Sequence, residues 1–107
     1  MDIVEYARQG DVKVDRVERL PEGLEPKPRD RGVWVLAHGE MTGHRHYLKD
    51  DHVQLYTNDA GLYMVVRGRP ATLYHEEHDP ITFAPGIYEV RRQREWSDRE
   101  EPVQVCE

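Results

Sequence analysis

His52-Val53-Gln54-Leu55-Tyr56-Thr57, then Asn58-Asp59-Ala60-Gly61, then Leu62-Tyr63-Met64-Val65-Val66-Arg67, is the stretch that decides the fold. Two runs rich in β-branched and aromatic residues flank a cluster of turn-forming residues, the signature of a β-hairpin. Leu62, Met64 and Val66 share one face of the returning strand, as a period of two requires. Outward from this hairpin the pattern repeats. Val33 to Ala37 reads as a buried strand, and His44 to Leu48 as a short one turned by Lys49-Asp50-Asp51. After the turn Gly68-Arg69-Pro70 come strands at Ala71 to His75 and Ile81 to Phe83. Ala84-Pro85-Gly86 leads into a long strand, Gly86 to Glu95, with Tyr88 and Val90 inward. Asp11 to Val17 alternates with Val12 and Val14 on one side, and Val103 to Cys106 suits a last edge strand. Asp2 to Gln9 suits a short helix: Asp2 caps it, Ile3, Tyr6 and Ala7 share a face, and Gly10 ends it. The Pro- and Gly-rich segment at about residues 20–32 excludes helix and a central strand, and is expected to be an ordered surface loop. About eight or nine short strands, with turn signals about every six to twelve residues, predict an all-β antiparallel barrel or sandwich.

At 107 residues the chain is read as one domain, 1–107. With 34% charged and 37% hydrophobic residues its core is thin, and a long β edge then favours a homodimer. A net charge of −6 makes nucleic acid an unfavourable general partner. No apolar run has the length of a membrane span and no signal peptide opens the chain. The single cysteine, Cys106, allows no internal disulfide, so a cytoplasmic location is expected.

The chemistry concentrates in two short motifs, Gly43-His44-Arg45-His46 and His75-Glu76-Glu77-His78. His44 and His46 are two apart, so on a strand both imidazoles face the same way. Two imidazoles on one face are half of a site for a borderline divalent metal. The expected ligands are His44, His46 and His75, with His78 or Glu77 as the fourth group. The ion would be zinc, iron, nickel or manganese. Glu76 is a candidate general base, or a partner for an imidazole N–H. Tyr47 and Tyr74 each adjoin a motif and are expected to wall the site. His38 is read as a strand-end residue and His52 as solvated. Arg91, Arg92 and Arg94 form a basic cluster beside Trp96, but Glu89 and Glu95 are expected to neutralise it.

The stretch Gly39 to His46 resembles the first histidine motif of cupins, and Pro85-Gly86 is similar to the turn in their second. That resemblance implies a small β-barrel holding a divalent metal with three histidines and a glutamate. Across nearly the whole chain the pattern also resembles small uncharacterised bacterial and phage proteins. The shared stretches are Gln9-Gly10-Asp11-Val12, Gly43-His44-Arg45-His46, His75 to Ile81, and Pro85 to Val90 into Gln93-Arg94-Glu95-Trp96. This resemblance implies no particular activity. Three functions therefore stand open: a metal-dependent enzyme on a small polar molecule, a non-catalytic assembly or regulatory module with structural histidines, and a nucleic-acid phosphodiesterase using histidines as acid and base.

Overall fold

Asn58 builds the turn on which the hairpin depends. Its side-chain Oδ1 accepts from the backbone N–H groups of Ala60 and Gly61 at 2.8 and 3.0 Å, an Asx arrangement that reverses the chain. The computed structural model describes residues 2–38 and 44–92, and among these every regular element is a strand. In chain order they are β1 (Ile3–Val4), β2 (Tyr6–Gln9), β3 (Val12–Val17), β4 (Glu25–Lys27), β5 (Trp34–His38), β6 (Arg45–Leu48), β7 (Val53–Asn58), β8 (Gly61–Val66), β9 (Ala71–Tyr74), β10 (Ile81–Phe83) and β11 (Gly86–Arg92).

Two sheets result, one in the order β1-β10-β9-β6-β5 and one in the order β2-β3-β11-β8-β7-β4. Among the described residues every pairing is antiparallel except that of β1 with β10. The layers meet over a shared core. Leu48, Leu73, Ala71 and Phe83 come from the first sheet, and Val12, Val14, Leu55, Met64, Val66, Tyr88 and Val90 from the second. Inward and outward residues alternate along β3, β7 and β9, as a sheet with one wet face requires. Tyr88 is fully buried, and its hydroxyl donates to the Ala84 carbonyl at 2.6 Å, so its polar end is satisfied.

The expected helix at Asp2 to Gln9 is not formed; β1 and β2 occupy that segment. Ile3, Tyr6 and Ala7 do have helical spacing, but two turns of helix are marginal by themselves. Pairing with β3 at one end and β10 at the other wins. The chain bends at Glu5 and passes from one sheet to the other there, closing a corner of the sandwich. The proline-rich segment contributes the short edge strand β4, with Pro26 in it, where a missing N–H is tolerated. In the first sheet Trp34 faces Leu48 and Val35 faces Tyr47, but Ala37 faces His46, so the register shifts around Leu36 as in a β-bulge. Residues 39–43, the expected strand Val103 to Cys106, and Arg94 and Trp96 lie outside the described residues.

Phe83 is fully buried and meets Tyr88 edge to face at 5.2 Å between ring centroids. Phe83→Ala is expected to destabilise the fold by about 3–5 kcal/mol, read as a lower urea midpoint with an unchanged slope.

Candidate metal centre

The pairing of β6 with β9 brings the two histidine motifs together. Tyr47 faces Tyr74 and Leu48 faces Leu73. Continued one residue past the ladder, the same register sets His46 against His75, then Arg45 against Glu76, then His44 against Glu77. All three contacts occur. The His46 and His75 rings are 4.3 Å apart between centroids. The Arg45 N–H donates to Glu76 Oε1 at 2.9 Å, and His44 Nδ1 lies 3.7 Å from Glu77 Oε2. His78 joins at 4.7 Å from His75 and 6.3 Å from His46, again between centroids.

Strand alternation decides which neighbours can take part. His46 and Leu48 are buried, so Tyr47 between them faces outward; Leu73 is buried, so Tyr74 faces outward too. The expected tyrosine wall is therefore absent. The two tyrosines instead form a cross-strand pair at 5.8 Å on the opposite face, beneath the Arg45 and Lys49 cations. Glu76 is exposed and its carboxylate is engaged by the Arg45 N–H, which holds it below the usual carboxylate range. His38 is exposed at the end of β5. His52 is half-buried rather than solvated: its Nε2–H donates to the Pro70 carbonyl at 2.9 Å.

The third wall of the site comes from the turn between β2 and β3. Gln9 pairs with Val12, leaving Gly10 and Asp11 as a two-residue connection. Gly10 has a positive φ of 61° and Asp11 does not, the pattern of a hairpin turn with glycine at its first central position. Space at Gly10 is also tight: a Cβ there would stand 2.9 Å from Nε2 of the exposed His78 and 3.3 Å from Cε1 of the buried His46, so the rings would have to give. Beside it, Gln9 is 2% exposed and makes three bonds. Its amide donates to the carbonyls of Leu73 at 3.2 Å and Asp79 at 2.9 Å, and its Oε1 lies 2.9 Å from His46 Nδ1. Asp11 Oδ1 stands 3.7 Å from His46 Nε2, and Asp11 Oδ2 accepts from Arg92 at 2.8 Å. Burial alone would raise the Asp11 carboxyl, but the Arg92 hydrogen bond and charge outweigh it and hold it low, so Asp11 is an anion. Arg91 pairs with Glu89 at 3.1 Å, so both described arginines of the basic cluster are matched by carboxylates.

Sequence reasoning missed Gln9, Asp11 and Arg92 as site residues. The signal for the first two was present in Gln9-Gly10-Asp11-Val12, a two-residue hairpin read instead as a helix end.

Burial first, then the neighbouring His75, pushes the His46 imidazole down to about 4, against the pull of Asp11. Burial and His78 lower His75 as well. Both rings are therefore neutral near pH 7, the protonation state in which imidazole binds metals.

Among the described residues no three His, Cys, Asp or Glu side chains are aimed at one point as ligands of an ion. Spacing and aim differ here. Two imidazoles on one zinc, each at about 2.1 Å, set their ring centroids about 5 Å apart in a tetrahedron. The observed 4.3, 4.7, 5.8 and 6.3 Å bracket that distance. The His46–His78 and His46–His75 planes, however, lie only 15° and 39° apart, so the rings are laid over one another. His75 Nδ1 accepts the Glu77 N–H at 3.0 Å, which leaves the proton of neutral His75 on Nε2. Ligation by His75 Nε2 requires that proton to leave and the segment from His75 to His78, exposed from Glu76 onward, to turn.

A family profile, Domain of unknown function (DUF8820), matches residues 8–93. No curated protein and no solved structure matches the chain. No helix among the described residues is long and apolar enough to cross a membrane.

Two outcomes follow from the cluster. His46 binds its proton near pH 4 when folded and near 6.5 when unfolded, so between these values the unfolded chain holds more protons. Stability of the metal-free protein is expected to fall as pH drops from about 6.5 to about 4, by roughly 3 kcal/mol at most from this group. Urea titrations in chelator across that range measure it, and a flat profile contradicts the buried neutral imidazole. Gly10→Ala is expected to destabilise the fold by about 1–3 kcal/mol, read as a lower urea midpoint, through its positive φ and its close approach to the rings.

Proposed function

The chain belongs to the DUF8820 family, and we propose that its imidazole cluster binds one divalent transition-metal ion. The observation that carries this reading is the register of β6 on β9, which sets His46 against His75 and His44 against Glu77 at one end of the sandwich. His46 Nε2 and the Asp11 carboxylate are the anchoring ligands. Two ligand atoms about 2.1 Å from one ion at a tetrahedral angle stand about 3.4 Å apart, close to the 3.7 Å between these two groups. His75 and His78 complete the set, with His44 and Glu77 as the outer pair. Asp11 thus joins His44, His46, His75, His78 and Glu77 as a ligand candidate. Imidazole and carboxylate donors without thiolate suit zinc, iron, nickel or manganese.

Catalysis on a small polar molecule is the further part of the proposal. His78 and Glu77 are exposed while His46 is buried, so an ion held by them would face the core on one side and solvent on the other. An open position is what a catalytic metal requires, and there the ion would supply Lewis acidity or an activated water. The chain's own part is to hold His46 neutral, to keep Asp11 charged through Arg92, and to shield the inner side from water. A phosphodiesterase using the imidazoles as acid and base is the weaker reading, because Asp11, Glu76 and Glu77 repel a phosphate. A non-catalytic module would close the same ion with four protein ligands.

Elemental analysis of untagged protein, with thermal melting in the presence and absence of chelator, tests the proposal. About one ion per chain and a lower melting temperature on chelation are expected. His75→Ala combined with His78→Ala is expected to abolish the ion and the shift, while His38→Ala retains both. Full occupancy in the double variant would reject this ligand set.

A further inference from the structure

We infer that Gln9 is a positioning residue that locks His46 as its Nδ1–H tautomer and so reserves His46 Nε2 as the acceptor nitrogen of the site. The surroundings of the Gln9 amide decide its orientation. Two of the three groups around the Gln9 carboxamide are backbone carbonyls, Leu73 O at 3.2 Å and Asp79 O at 2.9 Å. Carbonyl oxygens only accept, so the NH2 must face them. Turning the amide over would lose both bonds and bring its oxygen against two others. Oε1 therefore faces His46 Nδ1 at 2.9 Å, and since that oxygen only accepts, Nδ1 carries the hydrogen. A neutral imidazole with its hydrogen on Nδ1 has its lone pair on Nε2, the nitrogen turned toward Asp11. Gln9 and His46 are each 2% exposed, so water does not compete for these bonds.

His75 is held the other way. The Glu77 N–H fills its Nδ1 lone pair and leaves Nε2 as a donor. The two facing rings thus have opposite tautomers, one imposed by a side chain from the β2–β3 turn and one by the local backbone. A ligating histidine commonly donates its second N–H to an oxygen that fixes its orientation, and Gln9 stands in that relation to His46. The consequence for ion binding rests on the metal reading above; the tautomer does not.

Long-range proton–nitrogen correlation spectra of the imidazoles, on protein held in chelator at pH 7, test the inference. Wild type is expected to show His46 with its hydrogen on Nδ1 and a bare Nε2. Gln9→Glu offers a carboxylate to the same N–H and is expected to keep that tautomer despite losing both donated bonds. Gln9→Leu has similar bulk but no acceptor, and is expected to release His46 to the Nε2–H form and weaken zinc binding about 10–100-fold. A residue that only packs would leave the tautomer unchanged in both variants. An Nε2–H His46 in wild type overturns the inference, and so does an unaltered Nδ1–H signal in Gln9→Leu. Should Gln9→Leu not fold, Gln9→Met, of similar length and without an oxygen acceptor, is read in its place. The expected tautomer without zinc uptake by wild type would reject the metal reading and leave the role of Gln9 standing; zinc uptake by a protein whose His46 is Nε2–H would do the opposite.

Discussion

The register between β6 and β9 is the constraint on which the rest of the site depends. Side chains along a strand alternate, so a slip of one residue would turn His46 and His75 outward and bring Tyr47 and Tyr74 into the core. The slip is prevented by packing: Leu48 and Leu73 face each other across the pair and both are fully buried. Hydrophobic burial thus fixes a polar geometry two residues away. The bulge around Leu36 serves the same end, since it leaves the small Ala37 opposite His46.

Given that register, the second sheet adds what the first cannot supply. A row of imidazoles on one sheet would be a solvated edge. The β2–β3 turn lays Gln9 and Asp11 over it, so that His46 becomes buried, neutral and bonded on its inner nitrogen. Burying a polar ring without partners would be costly, and the Gln9 amide removes that cost by joining three groups at once. Arg92, at the end of β11, keeps Asp11 charged beside the neutral ring. The polar network belongs to both layers of the sandwich.

Much of this was legible from the residues. The turn at Asn58, the alternation of β3 and the inward Tyr88 and Val90 follow from local chemistry, and so does the common facing of His44 and His46. The N-terminal segment was not legible. Ile3, Tyr6 and Ala7 satisfy a helical period as well as they satisfy strand pairing, and the choice is made by partners distant in the chain. Gln9 and Asp11 escaped for the same reason: Gln9 finds its partners 37, 64 and 70 residues away. Tyr47 and Tyr74 were misassigned because adjacency in sequence means opposite faces on a strand.

The strand that bends at Glu5 has a consequence for how the molecule assembles. Its first half pairs with β10 and its second with β3, so one continuous segment fastens the two layers near the start and near the end of the chain. The β1–β10 pairing, unlike the local β2–β3 hairpin, has a long sequence separation and so a large loop-closure entropy to overcome. The Gln9 network closes across the same gap. A partly folded chain can hold the central hairpin and even the β6–β9 pair, yet it cannot hold His46 in its bonded, water-free setting. The imidazole cluster is therefore a property of the finished fold alone, and a nascent or damaged chain exposes its histidines without the chemistry that the assembled site gives them.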